Sequence, residues 1–423
     1  MASQYKAYKF DNGLFVALRH TNSPTVFSKL RVNYGACHEN PGEEGLAHFL
    51  EHCMMTAGSR KYSPKDSDEV RSKLGYSNAQ TFLGRTSFVG DMLNEHLEDW
   101  LAFISDTTFN PRFDLSRVNG ERGRIMREIS DDKSKPAYEI NRALRKAIYG
   151  DHPLSRYILG SEEVVKKADF RTLKQFHSRG YNATNSDLII VGGFPDNIMD
   201  ILEKYFASQK PGTDLRKTFP LLLPSGKSQV IRAYAPELEN KERPAQSSAE
   251  LCLNIVAVPD THQDIFALRT LSNLLGHGST SRLFKKMGLE KGLSYDQSAD
   301  YQSGFNSGSI EIQAKVSSGR LEEAINVIFE EMNRVKTEGI TSDELDSFRA
   351  QVEYSFARSL DSNDGKMRAI ESEIDDGLTP QRWVEGFNSV TPKAILEVAN
   401  KYLPGNRTDS GYVLGIRDPL KKD

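Results

Sequence analysis

The stretch GLAHFLEHCMM, residues 45–55, holds the sharpest signal in the chain. At 100° per residue, a helix through it lines up Leu46, Phe49, Leu50 and Cys53 as an apolar stripe and turns His48, Glu51 and His52 to the other side. Histidines four positions apart stand one turn above each other, so both can aim a ring nitrogen at one metal ion while Glu51 projects beside them. The order His-x-x-Glu-His inverts the His-Glu-x-x-His pattern, in which two imidazoles hold zinc and the carboxylate takes a proton from water. A solvated polar face that happens to carry two histidines has the same spacing, and the pentapeptide leaves both readings open.

A catalytic zinc takes three protein ligands and keeps one position open, so a third ligand must come from elsewhere. ERGRIMRE, residues 121–128, presents Glu121 and Glu128 seven residues apart, which is two helical turns and hence one face. Both stand at the edge of a stripe formed by Val118, Ile125 and Ile129, from which one carboxylate could reach a metal and the other a ligand histidine. The alternative is an ordinary charged helix with Glu121 and Arg124, or Arg124 and Glu128, as exposed pairs. Gly120 and Gly123 each weaken a helix here by about 1 kcal/mol.

The wider composition bounds what this site can serve. With 423 residues, 38% hydrophobic and 27% charged, the chain suits a soluble globular protein of two or more domains. A formal net charge of −3 lacks the basic excess of a dedicated nucleic-acid binder. No run approaches the roughly 20 apolar residues that span a bilayer, so no membrane association is expected. The opening MASQYKAYKF has no apolar signal core, which predicts a cytoplasmic protein or a mature form without its targeting segment. Cys37, Cys53 and Cys252 have no Cys-x-x-Cys spacing and are expected to be small buried hydrophobes. GHGSTSR, residues 276–282, completes neither a P-loop nor a dinucleotide fingerprint, and no Ser or Cys nucleophile motif is present.

An internal repeat at an offset of about 220 residues organises the chain. KADFRTLKQFHSRGYNATN (167–185) resembles VTPKAILEVANKYLPGNR (390–407), and SKLRVNYGA (28–36) aligns with AELCLNIVA (249–257). KPGTDLRKTFPLLLPSGKS (210–228) lacks any sustained period and reads as a linker between domains at 1–209 and 229–423. YKFDNGLFVALRH predicts a hairpin about Asp11-Asn12-Gly13, SDLIIVGGF a buried strand, and SPKDSDEVRSKLG, LEDWLAFISDTTF and TSDELDSFRAQVEYSF helices, the last with a Thr341 to Glu344 capping box. The expected class is therefore α+β: two homologous domains, each a largely antiparallel sheet flanked by helices.

Taken together, these residues resemble the pitrilysin, insulinase and mitochondrial processing peptidase family of inverted-motif zinc peptidases. HFLEH is followed by Glu128 at 76 positions after its second histidine, and GACHENPGEEGLAHFLEHCMMTAGSRKY resembles the family's segment around the metal helix. GYSNAQTFLGRTSF resembles its Gly-x-x-Asn-Ala-x-Thr strand, NPRFDLSRVNGERGRIMREI its third-ligand helix, and SRLFKKMGLEKGLSYDQSA its C-terminal signature.

The resemblance implies one Zn2+ per chain held by His48, His52 and Glu128, Glu51 as general base, and Glu121 beside the site as a second carboxylate. It implies that Asn78 and Ala79 lie on an edge strand that takes an extended peptide, with Tyr295 also binding substrate, and that a zinc-less second half closes a chamber over it. In that half Thr270, Asn273 and Leu274 stand where the histidines and base would be. Members of this kind often carry Arg seven residues before the tyrosine, whereas this chain has Gly288. The expected activity is that of a zinc endopeptidase on peptides or short unfolded polypeptides. The Gly288 departure predicts a two-chain assembly, either a homodimer or a heterodimer with a zinc-less homologue. The alternative is a non-catalytic or partner-dependent peptide-binding subunit.

Overall fold

The computed structural model describes residues 5–135, 137–216, 228–243, 247–304 and 306–419. Its two sheets share one topology. The first contains β1 (Lys6–Lys9), β2 (Phe15–His20), β3 (Thr25–Val32), β4 (Tyr76–Thr81), β5 (Thr86–Leu93) and β6 (Ser186–Gly192), in the spatial order β1-β2-β6-β3-β5-β4. The second contains β7 (Gln229–Tyr234), β8 (Ser248–Ala257), β9 (Asp296–Gly304), β10 (Ser307–Ser317) and β11 (Tyr412–Asp418), in the order β7-β11-β8-β10-β9. Apart from β1, the orders correspond strand for strand. Each sheet is antiparallel except for one parallel pair, β2 with β6 and β11 with β7. The class is α+β, with helices flanking both sheets.

The repeated segments occupy equivalent places. SKLRVNYGA supplies much of β3 and AELCLNIVA most of β8, while the helix Phe170–Gly180 precedes β6 as the helix Pro392–Tyr402 precedes β11. The hairpin about Asp11-Asn12-Gly13 forms, with Lys9 opposite Phe15, and the Thr341 capping box closes through Glu344 N to Thr341 Oγ1 at 3.2 Å and Thr341 N to Glu344 Oε2 at 2.8 Å. Cys37 and Cys53 are buried and Cys252 is half-buried, none of them in a disulfide.

The chain divides into two compact units, neither continuous in sequence. The first comprises Met1–Asp132, Arg156–Lys217 and Arg358–Thr379; the second comprises Lys133–Ser155, Thr218–Ala357 and Pro380–Asp423. Residues 133–155, expected within the first domain, thus belong to the second unit, and 358–379 belong to the first. Residues 217–227, the greater part of the expected linker, lie outside the described residues.

The exchange follows from sheets that are apolar on both faces. Alternate residues of β6 face opposite ways: Leu188 and Ile190 join the main core of the first unit, whereas Ile189 and Val191 pack with Met367 and Ile370 of the helix Asn363–Asp376. The second sheet is served in the same manner by the helix Tyr138–Tyr149, whose Ile140 and Leu144 meet Val413 of β11. Periodicity shows that such a helix has an apolar face but not which sheet it covers, which is why the segmental exchange escapes a reading from sequence.

Charge also fastens the helix Asn363–Asp376 to the first sheet. Arg31 of β3 is fully buried and reaches Asp187 of β6 at 3.0 Å, Asp375 at 3.1 Å and Glu371 at 3.4 Å. Removing Arg31 would leave the buried Asp187 to the partly exposed Arg216, while Glu371 and Asp375 keep Lys29 and Arg85. Arg31→Met is expected to destabilise the first unit by about 3 kcal/mol, read as a lowered urea midpoint of the intact chain. An unchanged midpoint would show that the Arg31 charge does not help to hold this helix, which Lys29 and Arg85 also tie through Glu371 and Asp375.

Candidate metal centre

The helix Leu46–Thr56 starts abruptly because Gly45 takes φ +98°, and any Cβ at that position would lie 2.7 Å from the Leu159 carbonyl oxygen. Glycine has no side chain with which to cap the helix. Glu39 supplies the acceptor instead, its Oε1 receiving Gly45 N at 3.0 Å and Ala47 N at 2.9 Å. Burial pushes the Glu39 carboxyl up to about 8, against the pull of those two N–H groups and of Arg156.

Leu46, Phe49, Leu50 and Cys53 are all fully buried, as the stripe predicts. The other side of the helix is not solvated: Glu51 is only 7% exposed and both histidines are largely covered. That side faces β4 and the helix Leu115–Ser134, which runs unbroken through Gly120 and Gly123. Val118, Ile125 and Ile129 anchor this second helix in the core, so Glu121 and Glu128 project from it toward the histidines.

Donor atoms of His48, His52 and Glu128 lie within 4.8 Å of one another. His48 Nε2 and His52 Nε2 are 3.2 Å apart, and the Glu128 carboxylate oxygens stand 3.6 Å from the first and 3.7 Å from the second. Two ligands each 2.0–2.1 Å from one tetrahedral zinc are separated by about 3.4 Å. The group therefore has the composition, two imidazoles and a carboxylate, and nearly the spacing of a catalytic zinc triad with an open fourth position.

The surrounding charges set the tautomers. Glu121 is buried, and its Oε2 accepts from His52 Nδ1 at 3.0 Å while Arg124 Nη1 donates to its Oε1 at 3.1 Å. Burial alone would raise the Glu121 carboxyl, but the His52 hydrogen bond and the Arg124 charge hold it below the usual range. A proton on Nδ1 leaves Nε2 with its lone pair toward Glu128. For His52, burial works against the charged form, yet the Glu121 hydrogen bond and the charges of Glu51, Glu128 and Glu121 outweigh it and raise the imidazole. His48 is pushed the other way, to about 3, by burial and by the charge of His52, and so presents a neutral ring.

Asn78 and Ala79 lie in β4, which is the outer strand of the first sheet; Asn78 is exposed and Ala79 half-buried against the core. Tyr295 belongs to the second unit, is 83% exposed, and precedes β9. Gly288 is buried in the π-helical segment Phe284–Glu290, where an added Cβ would stand 3.3 Å from the Ser294 carbonyl oxygen. Thr81, Arg124 and Glu39 also bear on the site: Arg124 pairs with Glu121 as the charged-helix spacing allowed, Thr81 is the threonine of the Asn-Ala-x-Thr strand, and Glu39 was not singled out. Thr81 ends the Gly-x-x-Asn-Ala-x-Thr resemblance, and strand parity puts it on one face with Ala79, but neither signal names its partner Glu51. Glu39 shows no such signal, because an acid that caps a helix from six residues away matches no local motif.

An HxxEH helix joined by a distant glutamate, within one of two α+β units of common topology, defines the architecture of the inverted-motif zinc proteases. Comparison with known proteins bears on the same point. The family model described as insulinase, peptidase family M16, matches residues 15–162, and that of the peptidase M16 inactive domain matches 167–352. The chain belongs to the insulinase (peptidase M16) family. It is 29% identical over 368 residues to a Bacillus subtilis protein described as an uncharacterized zinc protease, covering 86% of each chain. A Rickettsia bellii protein described in the same words is 24% identical over 97% of this chain and 98% of its own. Among solved structures, a protease from Helicobacter pylori superposes with a TM-score of 0.84 at 18% identity, covering 99% of this chain and 100% of that one. The periplasmic protease PqqL from Escherichia coli gives 0.83 at 17% identity over 99% of this chain and 48% of its own.

The contact between His52 and Glu121 makes a prediction of its own. Glu121→Gln keeps the shape but weakens the hold on the His52 tautomer, and is expected to lower zinc affinity by about 10- to 100-fold in a competition titration with a chromogenic chelator. An affinity equal to that of the parent would remove Glu121 from the metal centre.

Proposed function

We propose that the protein is a zinc-dependent endopeptidase acting on peptides or short unfolded polypeptides laid as an extended strand along β4. The convergence of His48, His52 and Glu128 carries this reading. In it, these three residues hold one Zn2+ per chain, Glu121 orients His52, and Glu51 is the general base. A zinc ion held there would supply a Lewis acid for the scissile carbonyl and bring the pKa of a coordinated water to about 7.

The chain's own groups then have defined tasks. Glu51 neighbours His52 in the helix, and its Oε2 accepts from Thr81 Oγ1 at 2.9 Å. Burial raises its proton affinity above that of an ordinary carboxylate, which suits a group that takes a proton from water and hands it on to the leaving amine nitrogen. The outer edge of β4 offers main-chain hydrogen bonds that ignore side-chain identity, so selectivity has to come from side pockets.

We further propose that the active form contains two chains, either a homodimer or a heterodimer with a zinc-less homologue. The support is Gly288, a glycine seven residues before Tyr295, where the resemblance leads one to expect the arginine of a substrate-gripping pair. Light scattering coupled to gel filtration is expected to show an assembly larger than one chain when activity is present, and a fully active monomer would remove this part. For the chemistry, Glu51→Gln should keep its zinc and lose about 10²- to 10⁴-fold in turnover, measured as metal content beside cleavage of a mixed peptide library. Hydrolysis at the parent rate would show that another group is the base.

A further inference from the structure

We propose that Thr81 is a positioning residue that holds the Glu51 carboxylate in place and ties it to the strand that receives the peptide; this rests on the reading of Glu51 as general base. Thr81 is the last residue of β4 and is only 6% exposed. Its Oγ1 lies 2.9 Å from Glu51 Oε2 and 3.5 Å from the Ala47 carbonyl oxygen, so the hydroxyl sits between the base and the backbone of the metal helix.

Thr81 is itself firmly held. It pairs with Thr86 of β5, and the turn that follows closes through Phe82 N to Arg85 O at 2.7 Å. The same turn is pinned to the segment before the metal helix, where Ala36 N donates to Phe82 O at 3.2 Å and Cys37 N to Leu83 O at 2.7 Å. A β-branched side chain on such a backbone has little rotamer freedom. Glutamate, by contrast, has three side-chain torsions and needs an outside partner to keep a catalytic geometry.

The placement couples two events. Successive strand residues alternate in direction, so Ala79 and Thr81 face the metal helix while Asn78 and Gln80 face away. A peptide added to β4 takes its register from the main chain only about 10 Å from Thr81. One rigid strand would then locate both the reacting carbonyl and the base that serves it. Loss of the Thr81 hydroxyl is accordingly a loss of turnover with little effect on peptide affinity.

The test compares the zinc-loaded full chain with Thr81→Val, which keeps the shape and the Thr81 N–H that also donates to Glu51 but removes the hydroxyl donor, and Thr81→Ser, which keeps the hydroxyl. In crystal structures, Glu51 is expected in one rotamer in the parent and the Ser variant and spread over several in the Val variant. In peptide cleavage, Thr81→Val should lower kcat by about 10- to 100-fold with KM and zinc content unchanged, and Thr81→Ser should restore most of the rate. Glu51 undisplaced in Thr81→Val overturns the proposal, as does a rate loss that serine fails to rescue or that falls on KM. The crystallographic result is independent of turnover, so Thr81 is judged even if Glu51→Gln shows that another residue is the base.

Discussion

The first unit depends on one constraint: the polar side of the helix Leu46–Thr56 is buried, so His52 and Glu51 take their hydrogen-bond partners from outside the helix, while His48 Nδ1 has none among the described residues. Glu121 answers His52, Thr81 answers Glu51, and the Glu128 carboxylate stands against both Nε2 atoms. What remains is a pair of facing imidazole nitrogens 3.2 Å apart beside a carboxylate, a cluster that a divalent cation would satisfy. Burial that would be costly for unpaired groups thus becomes the means of holding donors in place before an ion arrives.

The rest of the fold keeps those partners in position. The metal helix is set by Gly45 and Glu39 at its start, the second carboxylate helix by Val118, Ile125 and Ile129, and β4 by its ladder to β5. Behind the sheet, the helix Asn363–Asp376, drawn from the far end of the sequence, covers the second apolar face and is tied down through Arg31. The corresponding cover on the second sheet comes from Tyr138–Tyr149. Duplication explains the shared strand order, and two-sided burial explains why each half gives up a helix.

Much of this was readable from particular residues. The i, i+4 histidines and the seven-residue spacing of Glu121 and Glu128 point to the helices observed because each rests on a local period, and the repeat that matches SKLRVNYGA to AELCLNIVA points to the equivalent strands β3 and β8. The two glycines of the 115–134 helix argued against it, and core packing of Val118, Ile125 and Ile129 overrode that propensity. The exchanged helices were not readable, since an amphipathic period names a face and not its partner. Nor were the roles of Glu39 and of Thr81, the last residue of the Asn-Ala-x-Thr strand, whose contacts cross 6 and 30 residues of sequence and exist only once the turn after β4 and the αL start of the metal helix have formed.

The central claim is that His48, His52 and Glu128 bind one zinc ion. Anomalous diffraction recorded on either side of the zinc absorption edge, from crystals of the intact protein grown with equimolar zinc, tests it without reference to any substrate. The account requires a single strong peak per chain, about 2.0–2.1 Å from both imidazole Nε2 atoms and a Glu128 oxygen. Zinc located at any other residues, with this cluster left vacant at full occupancy elsewhere, would contradict it.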